Sequence, residues 1–391
     1  MPNTMLTLFN LTINFLVKKC HVTVILCSAT QPSFENAEHK LLSEVSDLIT
    51  LPSETLKVFE RVELVDKGSM SMEELSDFAL EIIRSKKSLL VVCNTKREAK
   101  ELFESLQAEV SSVIPMYHLS ASMCTKHRKM IVESMKIDLS LPDTKQIVCV
   151  ATQVIEAGVD ISFNCVIRLQ AGMDSIVQAA GRCNRNGENK LESVYIVNLL
   201  GEKLHRLKEI ETAKSATNSL LQEVKTKNQY TSLNSDAAIS FYYKKLYSMM
   251  NKGEQDFLVP KLHKSLYGLL NQHDVADGYF LAQQLKTAGN YFNVFDNNTV
   301  ELIVPYGSGQ NVISELNSEK AMYNLAYAED LIKQATGYTV TCYQYQIDVL
   351  KKDAAVIYND CFGIYILNNS AYYDDQLGLN LDAIGGDGVF C

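Results

Sequence analysis

Between residues 61 and 200 the chain alternates short apolar runs with longer amphipathic stretches, and few architectures accept that alternation. "SLLVVC" (88–93), "QIVCV" (146–150), "NCVIRLQ" (164–170) and "SVYIVNLL" (193–200) are almost uninterrupted in apolar and β-branched residues. Such runs suit strands buried on both faces rather than strands with one wet face. "RVELV" (61–65) and "SVIPMYH" (112–118) supply two more. "MEELSDFALEIIRSK" (72–86) and "KREAKELFESLQ" (96–107) have helical periodicity, and Asn94-Thr95 is placed to cap the second. Strand and helix in turn imply an α/β fold with a doubly wound, mostly parallel sheet.

The flanks read differently. "VTVILC" (22–27) is a further buried-strand pattern, and residues 35–58 read as helical and mixed, ending near Pro52. After Gly201 strand signals thin out through "AAISFYYKKLYSMM" and "GYFLAQQLKTA". "FNVFDNNTVELIVPYG" (292–307) then reads as a short β unit, and residues 355–367 as a hairpin. The expected divisions are residues 1–55, 56–202, 203–290 and 291–391, the third a helical linker and the last a small α+β C-terminal domain. A length of 391 residues exceeds one typical core, which agrees with several domains.

Composition excludes more than it selects. With 47% hydrophobic and 21% charged residues the chain is globular, and no apolar run reaches membrane-spanning length. A net charge of −9 argues against binding nucleic acid through overall charge, though not against a local basic strip. The ten cysteines form no CxxC pair, so neither a zinc site nor a disulfide framework is expected. Cys27, Cys93 and Cys149 sit in apolar runs, as small hydrophobes in a reducing cytoplasmic setting.

Three loops carry candidate chemistry. "VQAAGRCNRNGE" (177–188) places Arg182 and Arg185 three apart after Gln178 and Gly181. On a helix they would share a face, and the guanidinium fork suits phosphate oxygens. A solvated helix with incidental arginines shows the same pattern. "VATQVIEAGVDIS" (150–162) puts Thr152 at a strand's carboxyl end and Gly158 and Asp160 in a tight turn. Glycine there permits close backbone approach, and Asp160 can pair with an arginine or a ribose hydroxyl. Ser28-Ala29-Thr30 follows the run 22–27 at the edge where open α/β sheets bind ligands.

Taken in order, these stretches resemble superfamily 2 helicases. Ser28 to Thr30 looks like motif III, "LLVVCNTKREA" (89–99) like motif IV, Thr152 to Asp160 like motif V, and Gln178 to Arg185 like motif VI. "YHLSASMCTKHR" (117–128) is similar to the segment after motif IV. Gln31-Pro32 and Cys183-Asn184 narrow the resemblance to the CRISPR-associated helicase–nuclease of type I systems.

That family implies a RecA-like sheet and an ATP-dependent helicase that translocates on single-stranded DNA, recruited by a CRISPR RNA-guided surveillance complex. It assigns Gln178, Arg182 and Arg185 to the ATP γ-phosphate, and Gly158 and Asp160 to nucleotide or to placing the arginines. Thr152, Ser120 and the backbone at Asn94 and Thr95 would hold DNA phosphates. Ser28, Ala29 and Thr30 would couple hydrolysis to movement.

Two signatures of that family do not occur here: a GxxxxGKT phosphate loop (Walker A) and a DExH box for magnesium. "DKGSM" and "NKGEQ" read as ordinary turns, and His273-Asp274 as a loop pair without further histidines. The chain therefore looks like the C-terminal part of a longer enzyme. ATP and Mg2+ would bind only with an N-terminal half carrying Walker A, DExH and HD motifs, which a separate chain could supply. Alone it is expected to lack turnover, with residues 1–55 poorly packed. The alternatives are a superfamily 2 DNA or RNA helicase outside CRISPR immunity, and a non-catalytic nucleic-acid-binding subunit or remnant. Tyr242, Tyr243, Tyr343, Tyr345, Tyr372 and Tyr373 are read as core or surface residues rather than base-stacking ones.

Overall fold

In the computed structural model of this chain the expected strand runs between residues 61 and 200 become strands. The structure describes residues 2–52, 55, 58–110, 114–141, 146–156, 158–205, 207–227, 230, 232–271, 284–292 and 299–381. His273 and Asp274 lie outside them. The chain forms two compact units that are not consecutive in sequence. One gathers Met1–Asp66, Gln170–Gln178 and Gly201–Asp296; the other gathers Lys67–Leu169, Ala179–Leu200 and Asn297–Cys391.

The first unit opens with helix α1 (Leu6–Cys20), ended by His21 in the left-handed region at φ 53°. Asn10 and Asn14 of α1 are buried and donate to the carbonyls of His39 and Lys40 at 2.8 and 2.9 Å. Asn14 also accepts from the Leu42 N–H at 2.8 Å, which lays residues 39–42 along the helix.

Residues 22–27, expected as a buried strand, pair with no strand among the described residues, and Ile25 is 67% exposed. An apolar strand is stable only inside a ladder, and none is adjacent among the described residues. The helical expectation is likewise corrected for residues 37–52: a short 3-10 turn spans Phe34–Asn36, Leu42, Val45, Leu48 and Ile49 stay exposed, and helical backbone is found only further on, at Thr55 and Val58. An apolar stripe holds a helix only when it has a surface to bury against.

In chain order the sheet-bearing region contains strand β1 (Val62–Met70), helix α2 (Met72–Ser85), β2 (Ser88–Val92), α3 (Lys96–Glu109), β3 (Met116–Leu119), α4 (Thr125–Ser140), β4 (Ile147–Ala151), β5 (Cys165–Leu169), α5 (Met173–Ala180) and β6 (Glu192–Leu199). The strand order is β1-β6-β5-β2-β4-β3, and β6-β5, β5-β2, β2-β4 and β4-β3 are all parallel. β2, β4 and β5 are buried along their whole length. "DKGSM", read as a turn, belongs to β1, with Gly68 at φ 75°.

Local signals set the helices. Ser71 and Glu74 form a reciprocal capping box that starts α2, and Thr95 and Glu98 do the same for α3. Leu75, Ala79, Ile82 and Ile83 bring α2 onto the sheet, and Ala99, Leu102, Phe103 and Leu106 bring α3. Their common core includes Val91, Val150, Ile167 and Val197.

Beyond the sheet, α6 (Lys208–Lys227) and α7 (Asp236–Met249) pack against each other in the first unit. In the second unit come β7 (Thr299–Ile303), α8 (Leu325–Ala335), β8 (Thr339–Tyr343), α9 (Gln344–Lys352), β9 (Val356–Asn359) and β10 (Ile364–Leu367). They form a mixed sheet of order β8-β7-β10-β9, in which β9 and β10 are the expected hairpin and β7 and β10 run parallel. Tyr242, Tyr243 and Tyr372 are buried, whereas Tyr343 and Tyr345 are exposed. No helix among the described residues is long and apolar enough to cross a membrane.

Candidate functional site

Strands β2, β4 and β3 end level: Val92 lies opposite Ala151, which lies opposite Leu119. The next residues stay in step, because the Cys93 N–H donates to the Ala151 carbonyl (2.8 Å) and the Thr152 N–H to that of Leu119 (2.9 Å). Parallel pairing thus lines up Asn94, Thr152 and Ser120 along the carboxyl edge of one sheet, beside the amino end of α3.

Thr152 is 6% exposed, and its Oγ1 has no hydrogen-bond partner among the described residues. A buried hydroxyl left without a partner is costly. Ser120 is fully buried, and its Oγ accepts from the Ser122 N–H at 3.2 Å, shaping the loop into α4. Thr95 spends its Oγ1 on the Glu98 N–H (3.2 Å), and its own N–H on the Glu98 carboxylate (3.1 Å). Asn94 is buried, with Oδ1 accepting from Arg168 Nη1 at 2.6 Å.

Arg168 was not among the residues singled out from sequence. It is fully buried in β5 and donates through Nη1 to the carbonyls of Val92 (3.3 Å) and Leu169 (2.8 Å) as well. Its Nε lies 3.0 Å from Glu156 Oε1, an ion pair without hydrogen-bond angles. An arginine inside "CVIRL" was the available signal, since a fully buried charge demands a partner.

Arg182 and Arg185 differ in their surroundings. Arg182 is buried and donates from Nε to the Ile155 carbonyl (3.0 Å) and from Nη2 to the Glu156 carbonyl (2.6 Å). Burial first, then the charge of Arg185, lowers its pKa. Arg185 is 43% exposed and meets Asp160 Oδ1 at 2.7 Å, and Asp160 is itself 76% exposed. The Arg185 N–H donates to Ser162 Oγ at 3.0 Å. Gly158 has φ 73° with open space where a Cβ would stand.

The shared helix face expected for Arg182 and Arg185 is not present. α5 ends at Ala180, and residues 182–184 turn away to bridge Phe163, whose N–H donates to the Arg182 carbonyl while its carbonyl accepts from the Asn184 N–H (2.8 Å each). Asn184 takes φ 46°, and its amide hydrogen-bonds both the N–H and the carbonyl of Asn189.

Gly158, Asp160, Arg182 and Arg185 thus lie together in the second unit, as do Asn94, Thr95, Ser120 and Thr152 along its sheet edge. Gln178, half-buried on α5, belongs to the first unit with Ser28, Ala29 and Thr30. Ser28 and Ala29 are exposed, whereas Thr30 is buried with Oγ1 3.0 Å from the Tyr243 hydroxyl. No cluster of three or more His, Cys, Asp or Glu suited to a metal ion occurs among the described residues.

A doubly wound parallel sheet with loops gathered on its carboxyl edge defines a RecA-like α/β domain. Comparison narrows the class. Residues 85–188 match the profile of a family described as CRISPR-associated nuclease/helicase Cas3, C-terminal. The chain is 27% identical over 187 residues to the CRISPR-associated nuclease/helicase Cas3 of Methanothermobacter thermautotrophicus, covering 46% of this chain and 22% of that protein. It is 63% identical over 41 residues to the Cas3 of Haloferax volcanii, covering 10% and 4%. Among solved structures, T. fusca Cas3 with ADP matches 94% of this chain and 50% of that one, with a TM-score of 0.59 and 14% identity. The chain is therefore similar to the C-terminal region of Cas3-like nuclease/helicases, and it spans less than a quarter of the length of the curated relatives it matches.

Proposed function

We propose that this chain supplies the motif IV–VI half of an ATP-dependent single-stranded-DNA translocase of type I CRISPR interference. The observation that carries the reading is the buried, unpartnered Thr152 hydroxyl at the level ends of β2, β4 and β3. A phosphate oxygen accepting from Thr152 Oγ1 would complete it, with Ser120 and the backbone at Asn94 alongside, and the Thr95 N–H would join only on release from the Glu98 carboxylate. Arg185 fits the nucleotide role best, because its exposed partner Asp160 can release it to a γ-phosphate oxygen. Arg182, committed to the 155–156 carbonyls, holds the turn that presents Gly158 and Asp160. Its reach to phosphate, like that of Gln178, would come with nucleotide bound.

ATP would bring the phosphoanhydride whose cleavage drives movement. The sequence holds no phosphate loop and no DExH box, so hydrolysis calls for a polypeptide bearing both, with Mg2+. Recruitment by a CRISPR RNA-guided complex follows the same resemblance. A CRISPR-independent helicase, or a binding module without turnover, remains the competing reading.

The test is fluorescence anisotropy with labelled oligo-dT at low salt. The chain should bind, and Thr152→Val should weaken binding roughly ten-fold, the worth of one hydrogen bond to a charged group. Absence of binding, or a Thr152→Val variant that binds like the parent, would sink the proposal.

A further inference from the structure

Helix α7 carries adjacent tyrosines whose hydroxyls a merely apolar core would not require. Neighbours in a helix point about 100° apart, so Tyr242 and Tyr243 address two different elements at once. The Tyr243 hydroxyl meets Thr30 Oγ1 at 3.0 Å, and Ser33 and Ser240 add a second tie between the same stretches at 3.3 Å. Tyr242, with no exposed surface, donates to Asp174 Oδ1 at 3.0 Å. The two rings touch edge to face, 5.0 Å between centres at 63°.

Asp174 sits in the first turn of α5, the helix that carries Gln178. The residues leading into α5 are held just as closely. A Cβ on Gly172 would lie 2.5 Å from the Tyr242 hydroxyl and would also strike the Asp174 carboxylate, so only glycine lets the tyrosine seat. The Ala171 carbonyl accepts from Thr217 Oγ1 of α6 at 2.7 Å, and Gln170 donates to Asn218 Oδ1 at 2.7 Å.

We infer that Tyr242 and Tyr243 are positioning residues that tie the Ser28–Thr30 segment to the helix carrying Gln178. A displacement of either is then passed to the other through α7. The functional side rests on the reading above, in which these two stretches serve coupling and nucleotide contact. Phenylalanine at either place would fill the core equally well but would leave Thr30 or Asp174 without its partner.

Hydrogen exchange on the full chain, without nucleotide or DNA, tests the link. Tyr243→Phe should raise exchange across residues 28–36 about five-fold, the loss of one buried hydrogen bond. It should also raise exchange at residues 173–180, to which Tyr243 makes no hydrogen bond among the described residues, by about two-fold or more. Tyr242→Phe should give the reciprocal pattern. Tyr247→Phe, which alters a ring packed 5.9 Å from Tyr243, should move neither stretch. Changes confined to the substituted side, or an equal response to Tyr247→Phe, would overturn the inference. Because no ligand enters, a failure of DNA binding would sink the proposed function and leave this result standing.

Discussion

Two arginines three residues apart have opposite duties. Arg182 is buried against two carbonyls, so Arg182→Ala leaves both acceptors unsatisfied and should cost about 2–4 kcal/mol. Arg185 and Asp160 form a solvent-exposed pair, so Arg185→Ala should change stability by less than about 0.5 kcal/mol. Urea denaturation of the two variants separates them, and equal midpoints would refute the assignment. The consequence is practical: a defect in an Arg182 variant would report partly on folding, whereas a defect in an Arg185 variant would arise with the fold intact. Spacing in the sequence marked both residues. It did not distinguish them, because the distinction depends on where α5 stops and on the backbone bridge to Phe163.

At the scale of elements, strands and helices follow from local pattern. Apolar, β-branched runs of five residues suit strands buried on both faces, and β2, β4 and β5 are buried so. The Thr95–Glu98 capping box was half visible as a candidate cap. Thr95→Ala should cost about 1 kcal/mol in urea denaturation. A stability unchanged within error would mean that α3 is held by its packing on the sheet alone. Residues 22–27 show the limit of pattern: the same composition as a buried strand, without a ladder to join, stays irregular and exposed. Strand identity belongs to a pair, not to one segment.

For the whole molecule, pH and concentration are the informative variables. His118 is buried, and burial, with the neighbouring His127 charge second, lowers its pKa from 6.5 to about 4. The unfolded chain therefore binds the proton more readily, so stability is complete above about pH 6.5 and falls as pH drops toward about 4. His127 works in the same direction, its pKa also lowered mainly by burial. Its Nδ1 lies 3.0 Å from the Tyr373 hydroxyl, and its Nε2 2.9 Å from the Asp375 carbonyl. The loss should reach about 3 kcal/mol for His118, read from urea midpoints between pH 7 and 4. His118→Leu should flatten the profile, and an unaltered slope would exclude it as the source. Separately, Ile25, Val45, Leu48, Ile49, Val58 and Phe59 are exposed in one stretch of chain. Sedimentation should show concentration-dependent association that Ile25→Lys with Leu48→Lys suppresses; a monomer at every concentration would count against it.

The sequence by itself determined the α/β class, the strands of the parallel sheet, a cap at Asn94-Thr95 and the order of loops that resembles a Cas3-like helicase. Each of these depends on residues near one another in the chain, where periodicity and turn chemistry act directly. Only the tertiary structure decided that Arg182 turns inward, that Arg168 and Glu156 pair, and that Thr30 meets Tyr243 across 213 positions of sequence. Those partnerships form between residues that folding brings together. A buried hydroxyl or guanidinium accepts whichever partner the packed elements place within about 3 Å, and no spacing along the chain encodes that distance.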